Sequence, residues 1–246
     1  WSFGKPLFLM LILWFVFTTV LRLPEFKKRN PDFPFALHLL SGVLAWSFFT
    51  GGLSDAMHSI YANSNLVKKV KLNPAVFPVS AILSHLINYI FSLLALFCFM
   101  IAYRTPLSPH ILLLPVLIFM QTFLMLSLSL ILSSLYVFYR DVGSILEITL
   151  TGWFYATPII YPFWLAAAEI PKRFSIWASY VYLLNPITPL VVAYRRVLFH
   201  ALLPTPEMPD VFLIYYLLYV LALSVIMYNI FVRIFSRLAV RFADES

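Results

Sequence analysis

A chain of 246 residues that is 62% hydrophobic and only 11% charged is not a water-soluble domain, since soluble domains carry about 25% charged residues. Its net charge of +7, from 17 Lys and Arg against 10 Asp and Glu, does not point to nucleic acid: the basic residues stand at the ends of apolar runs, where anionic lipid headgroups account for them. Cys98 is the single cysteine, which excludes an internal disulfide and a thiolate metal cluster.

Uncharged runs of about 20 residues predict membrane-spanning helices. The chain begins at Trp1 rather than Met, so preceding residues are expected, and this end lacks the short apolar core and small-residue cleavage site of a signal peptide. The first run, 6–23, is closed by a polar stretch holding Lys27, Lys28 and Arg29. The second, 35–55, leads into a wet segment from Met57 to Asn73. The third and fourth, 74–103 and 111–138, contain no Asp, Glu, Lys or Arg. At ~1.5 Å per residue both exceed a ~30 Å hydrocarbon core, so tilt or protrusion is expected. Arg104 to His110 joins them in a tight turn. The fifth run is 145–165 and the sixth 211–232, followed by a basic tail with Arg233, Arg237 and Arg241.

Between the last two runs lie shorter apolar pieces, 175–184 and 189–199, divided by Asn185-Pro186 and Pro189. Each reaches only ~15 Å, half a bilayer. Proline lacks an amide donor and clashes with the preceding turn, which argues against one continuous helix. A re-entrant pair of half-helices, shielded by protein or a water-filled cavity, fits better. The sequence therefore predicts an all-α membrane protein, one domain over 1–246, with six transmembrane helices and a re-entrant pair between spans five and six. Six spans put both termini on one side. Cations divide eight against nine between the two sides, so the positive-inside rule leaves orientation open.

Three segments carry candidate functional residues. In the segment 60–72, Leu66, Val67 and Val70 share one helical face, and Asn65, Lys68 and Lys69 another. This is either a helix lying among headgroups or a docking helix for a soluble partner. Tyr139-Arg140-Asp141 places an ion pair between two spans, and Ser144 with Glu147 has capping-box spacing at the start of span five. The stretch from Trp153 to Pro162 is rich in aromatic rings, and Pro158 within it predicts a kink in span five. Its rings form either an interfacial belt or the wall of a conduit on which sugar rings stack.

The remaining polar residues suit packing. His85 and Asn88, one turn apart in span three, are placed to hydrogen-bond across helices. Ser129 and Ser133 in span four suit close helix contact. No His pair has metal-ligand spacing on one helix face. The chain has neither a G-x-x-x-x-G-K-[ST] loop to cradle nucleotide phosphates nor a G-x-S-x-G nucleophile elbow. ATP-driven work by this protein requires another polypeptide to hydrolyse the ATP.

The order of motifs resembles a known family. Leu40 to Phe49 leads into Asn63-Ser64-Asn65-Leu66-Val67-Lys68-Lys69-Val70 and then Phe77-Pro78. After these come Phe138 to Val142, Thr157-Pro158-Ile159-Ile160-Tyr161-Pro162, Asn185-Pro186 and Tyr194-Arg195. The series resembles the permease subunit of ABC transporters that export polysaccharide, the Wzm/TagG-like class.

That resemblance implies a homodimer with two copies of a separate nucleotide-binding subunit, on which ATP and Mg are bound; no cofactor is expected on this chain. It implies a lipid-linked glycan substrate, O-antigen or teichoic-acid-like, and a multi-pass location in the bacterial inner membrane. Membrane lipids and no nucleic acid complete the expected partners. Both termini become cytoplasmic, and the segment 60–72 becomes a coupling helix. Asn63, Asn65, Lys68, Lys69, Lys71, Arg140 and Asp141 are then the coupling residues. The pieces within 175–199 become gate helices, with Pro158, Asn185, Pro186 and Arg195 as gate residues. Trp14, Trp46, Phe49, Trp153, Tyr155 and Tyr161 are candidate glycan contacts. The family's amphipathic helix before span one has no counterpart in the residues from Trp1 onward, in keeping with the expected preceding residues. Leu72-Asn73-Pro74 departs from its more usual aromatic-proline, and the basic loop Lys27 to Arg29 would face outward, against the usual charge bias.

Two other readings stay open. One is a permease of the same architecture exporting drugs or simple lipids. The other is a polytopic transferase, which needs ionisable groups converging within the membrane; spans three and four are nearly empty of them, with only His85 and the neutral amide of Gln121 obvious.

Overall fold

The computed structural model describes residues 35–69, 72–102, 104–105, 109–161, 163, 166–167, 169–170, 182–199 and 208–239, with residues 8, 12, 15 and 242. The described chain is helical, without strands. Its helices are α1 (Phe35–Ala62), α2 (Ser64–Lys69), α3 (Val76–Ala102), α4 (Leu114–Phe138), α5 (Asp141–Tyr155), α6 (Ile187–Phe199) and α7 (Asp210–Ala239). A 3-10 turn, Pro109–Leu113, leads into α4.

Four segments are long and apolar enough to cross a membrane: Leu37–Ala62, Val76–Ala102, Pro109–Phe138 and Asp210–Ala239, with mean hydropathy between 1.2 and 2.4. They correspond to the second, third, fourth and sixth expected runs. The first run, 6–23, lies almost wholly outside the described residues, as does most of the half-helix expected at 175–184.

Three boundaries differ from the sequence-based expectation. Helix α1 continues two turns past Asp55 to Ala62. In that stretch Ala56, Met57, Ser59 and Ile60 are buried, with Ser59 Oγ donating back to Ala56 O at 2.7 Å, while His58 and Ala62 point outward. Helix α5 starts at Asp141, so Ser144 lies inside the helix and is not an N-cap. The acidic Asp141 in the first turn complements the helix dipole instead. At its other end α5 stops at Tyr155 rather than kinking, and turn bonds follow, Thr157 N to Phe154 O and Ile159 N to Thr157 O. Pro158 cannot supply the amide that would continue the ladder. The 15 residues of α5 cover only ~22 Å.

Asparagines set two helix starts. Asn73 Oδ1 accepts from Ala75 N at 3.0 Å ahead of α3. Asn185 Oδ1 accepts from Ile187 N at 3.0 Å ahead of α6. Asn185-Pro186 thus acts as a cap followed by proline, a favoured pair at a helix start. Pro189 falls in the first turn of α6, where a missing amide costs little; it does not divide the segment.

The chain forms two compact units: residues 1–46, 88–117 and 154–217 make one, and 47–87, 118–153 and 218–246 the other. In the first, α6 is the buried centre. Every residue of Ile187–Phe199 except Arg196 is buried, and the 3-10 turn lies against it. Tyr194 meets Tyr89 of α3 edge-on at 6.1 Å. Arg196 bonds the Met208 carbonyl at 2.8 Å and pairs with Asp210, tying the end of α6 to the start of α7. In the second unit, Ile60, Leu130, Val137, Phe235 and Phe242 form the core cluster. Ser127 Oγ donates to the Ser224 carbonyl at 3.0 Å, linking α4 to α7. Ser129 and Ser133 are fully buried and bond back to their own helix, as close packing requires.

Candidate functional site

The second unit contains the basic elbow. Asn63 makes the turn between α1 and α2: its Nδ2 donates to Ser59 O at 2.8 Å, and its carbonyl accepts from Leu66 N and Val67 N. Helix α2 follows with no buried residue. Asn65, Leu66, Lys68 and Lys69 are exposed. Of the apolar face expected of Leu66, Val67 and Val70, Val67 packs against the core cluster, Leu66 is exposed, and Val70 lies outside the described residues. Lys71 lies outside the described residues.

The turn before α5 meets this elbow through rings. The Arg140 guanidinium lies 4.8 Å from the centre of the Tyr61 ring, within cation–π range. Tyr61 meets Tyr136 edge-on at 6.0 Å, and Tyr136 meets His58 at 4.5 Å. Gly143 permits the approach: a Cβ there would lie 3.1 Å from the Tyr136 ring and 3.6 Å from Met57. The structure thus brings together residues 60–69 and 140–143, the segments that the sequence marked separately. Asp141 is exposed in the first turn of α5.

The first unit contains the broken segment after α5. Arg195, fully buried, donates from Nη2 to the Ile159 carbonyl at 2.6 Å and from Nη1 towards Tyr161 O at 3.5 Å. Gly42 on α1 makes room for it: a Cβ there would lie 3.1 Å from Arg195 Nη2 and 3.5 Å from Ile159 O. Asn185 Nδ2 donates to Thr157 Oγ1 at 2.9 Å and to Ala156 O at 3.3 Å. Beyond the end of α5 the carbonyls of Ala156, Ile159 and Tyr161 have no helix ladder to join, and the Asn185 amide just ahead of α6 and the Arg195 guanidinium within it serve them instead. Pro158, Asn185, Pro186 and Arg195 are therefore joined in one constellation.

The aromatic candidates separate by burial. Trp14 lies outside the described residues. Trp46 and Phe49 are covered: Trp46 packs at 5.8 Å from Phe154, and Phe49 edge-on at 5.4 Å from Trp153. In this chain their rings form a helix seam, so the expected stacking faces are taken up internally. Tyr155 is 66% exposed. Tyr161 is half-buried; its hydroxyl donates to Tyr155 O at 3.0 Å and receives from Tyr182 at 3.4 Å.

Sequence reasoning missed Asp55. His85 Nε2 lies 2.6 Å from Asp55 Oδ2, so the expected cross-helix bond of His85 exists and its partner is a carboxylate on α1. A hint lay in Gly51-Gly52, one turn before Asp55: Cβ positions on both would run into His85 or Met125.

No group of three or more His, Cys, Asp or Glu among the described residues is placed to hold a metal ion. With four helices long and apolar enough to cross a membrane, the chain is a multi-pass membrane protein. The family model described as ABC-2 type transporter matches residues 1–199, and the chain belongs to that family. Its relatives include an O-antigen export system permease protein RfbA of Myxococcus xanthus, 30% identical over 84% of this chain and 75% of that protein. Two proteins of the same name from Klebsiella pneumoniae are 24% and 25% identical, each over 99% of this chain and 85% of their own length.

Proposed function

We propose that this chain is the membrane-spanning subunit of an ATP-driven exporter that moves lipid-linked polysaccharide of the O-antigen kind across a bacterial inner membrane. Two copies form the path, with six spans each and both termini in the cytoplasm. Two copies of a separate nucleotide-binding subunit bind ATP and Mg; this chain binds neither. The observation that carries the reading is the alignment, along 99% of the chain, with permeases named for O-antigen export.

In this reading α2 is the handle gripped by the ATP-hydrolysing partner. Asn65, Lys68 and Lys69, with Lys71 beyond them, present amide and ammonium donors to a groove of carbonyls and carboxylates. Asn63 shapes the elbow. The seat of Val67 on the core cluster and the stack of Arg140 over Tyr61 support transmission of a push on α2 to α1 and α5, with Asp141 at the α5 end. The gate is the segment 156–161, which Asn185 and Arg195 hold as positioning residues. Tyr155 and Tyr161 are its glycan-facing rings.

A double substitution Lys68→Glu with Lys69→Glu tests the coupling. The variant inserts normally, and surface glycan is lost while polymer accumulates inside the cell. Unchanged export removes the coupling assignment. Polymer that still reaches the surface of cells lacking this chain removes the substrate assignment.

A further inference from the structure

The uncovered face of α1 has the wrong chemistry for lipid. None of its described large apolar side chains is exposed. The polar residues that reach the surface are Ser47, Thr50, Ser54, Asp55 and His58, with exposed Ala62 beyond them, and they lie along one side of the helix. The exposed residues of α3, by contrast, include Leu83, Ile87, Ile90 and Leu94, a face suited to hydrocarbon.

Helix α5 adds polar groups beside this surface, next to exposed Ile145 and Ile148. Gly143 lies beside Met57 and His58, and Trp153 beside Phe49, so the two helices run antiparallel in a fixed register. That register sets Glu147 level with Ser54 and Asp55, and Thr151 level with Thr50. Ser144, Glu147 and Thr151 are all exposed and share one row of α5.

Asp55 fixes the character of this surface. It sits seven residues before the end of α1, and His85 nine residues into α3, roughly 10–14 Å along each helix. The Asp55 side chain is 67% exposed although His85, itself 24% exposed, holds one oxygen. A carboxylate facing hydrocarbon is costly, up to about 2.5–3.5 kcal/mol at the centre of a span on insertion scales. A dry seam with a second copy is no better: a two-fold interface sets identical stripes together, and like carboxylates would be desolvated against each other. Water and a polar solute satisfy both constraints.

We propose that the stripe Ser47–His58 of α1, with Glu147 and Thr151 of α5, is the wet wall of the export path, and that it is built for an uncharged, hydroxyl-rich polymer. This rests on the exporter reading above. Ser and Thr hydroxyls donate and accept, and the carboxylates of Asp55 and Glu147 accept from sugar hydroxyls in charge-assisted bonds. The same carboxylates repel a phosphate-bridged or uronate-rich polyanion, as rings of acidic side chains do in cation-selective pores. His85 is a positioning residue that aims the Asp55 carboxylate.

The test uses the full transporter in membrane vesicles with its ATP-hydrolysing partner, on a Cys98→Ser background. Ser47→Cys and Ser54→Cys are compared with Leu94→Cys and Ile226→Cys using a membrane-impermeant thiol reagent. The two stripe variants react and lose export on modification, and the two apolar-face controls stay inert. An uncharged oligosaccharide slows the reaction at Ser54→Cys, and a polyanionic one of equal length does not. If Ser54→Cys is as inert as Ile226→Cys in a transporter that exports glycan, lipid or a second copy covers the stripe and the wet wall is wrong. Equal protection by both oligosaccharides overturns the charge class. If Ser54→Cys reacts but the Cys98→Ser transporter exports no glycan, the exporter reading fails and takes the glycan wall with it, leaving only a hydrated face.

Discussion

Helices α1 and α7 are both long enough to span a membrane, yet they solve opposite problems. In the most apolar 18-residue window of α1, 72% of residues are buried, against 17% in α7. What α1 leaves uncovered includes Ser47, Asp55 and His58, and none of its described large apolar side chains is exposed; what α7 leaves uncovered includes Phe212, Ile214, Leu218 and Ile226. Mean hydropathy ranks them the same way, 1.2 against 2.3. The more polar helix is the more enclosed one. In a bilayer the apolar solvent is lipid, so apolar side chains need no burial, whereas a helix rich in Ser, Thr and Asp must find protein or water.

The sharpest way to break this comparison is to delete a ring from each helix. Phe49 is fully buried against Trp153, and Phe49→Ala is expected to cost about 3–5 kcal/mol through lost contacts and a residual cavity. Phe212, 58% exposed on α7, should change stability by only about 0.5 kcal/mol or less when truncated to Ala. Thermal unfolding of the purified transporter compares the two; equal losses would mean that α7 is as enclosed as α1. Adding charge reverses the sensitivity. Ile226→Asp on α7 is expected to cost about 2.5–3.5 kcal/mol of insertion, seen as depleted protein in the membrane fraction. Ser54→Asp on the α1 stripe leaves the membrane level unchanged. Similar depletion in both would place the α1 stripe against lipid.

The sequence made the helices more legible than their faces. Uncharged runs revealed the four described spans because hydrocarbon length imposes a minimum on any spanning helix. The end of α1 was misread because Asp55, His58 and Ser59 interrupt the apolar run, and only the helical period, with Ala56, Met57 and Ile60 turned inward, reveals the extra two turns. Lys68 and Lys69 were legible as an exposed pair, since few other environments suit adjacent lysines. Trp46 and Phe49 were not legible as seam residues: an aromatic ring suits a core, a belt and a sugar equally, and only their neighbours across the helix decide. Asp55 was invisible for the same reason, because its partner His85 is thirty residues away in sequence.

The covered side of α1 yields a smaller effect. Gly42 admits Arg195, whose guanidinium takes the Ile159 carbonyl at 2.6 Å. Arg195→Met fills similar volume without donors, leaving a buried carbonyl unpaired at a cost of about 1–3 kcal/mol. A lowered thermal midpoint together with impaired export supports the latch; a midpoint unchanged from the parent removes it.

The smallest stability change is expected where α1 passes from covered to wet. A Cβ on Gly51 would lie 2.7 Å from His85 Cε1 and 2.9 Å from Nδ1, so Gly51→Ala forces the imidazole to turn and loosens its hold on Asp55. Alanine also gains about 1 kcal/mol over glycine in a helix interior, which offsets the steric cost. The net shift in thermal midpoint should therefore stay within about 2–4 °C, the change that 1 kcal/mol produces in a protein of this size. Export should nevertheless fall, because the carboxylate is no longer aimed. Adding His85→Ala to Gly51→Ala separates the causes: it removes the clash but not the misaimed carboxylate, so packing recovers and export stays low. Full recovery of export in the double variant would show that His85 only fills space, and that α1 differs from α7 in burial alone.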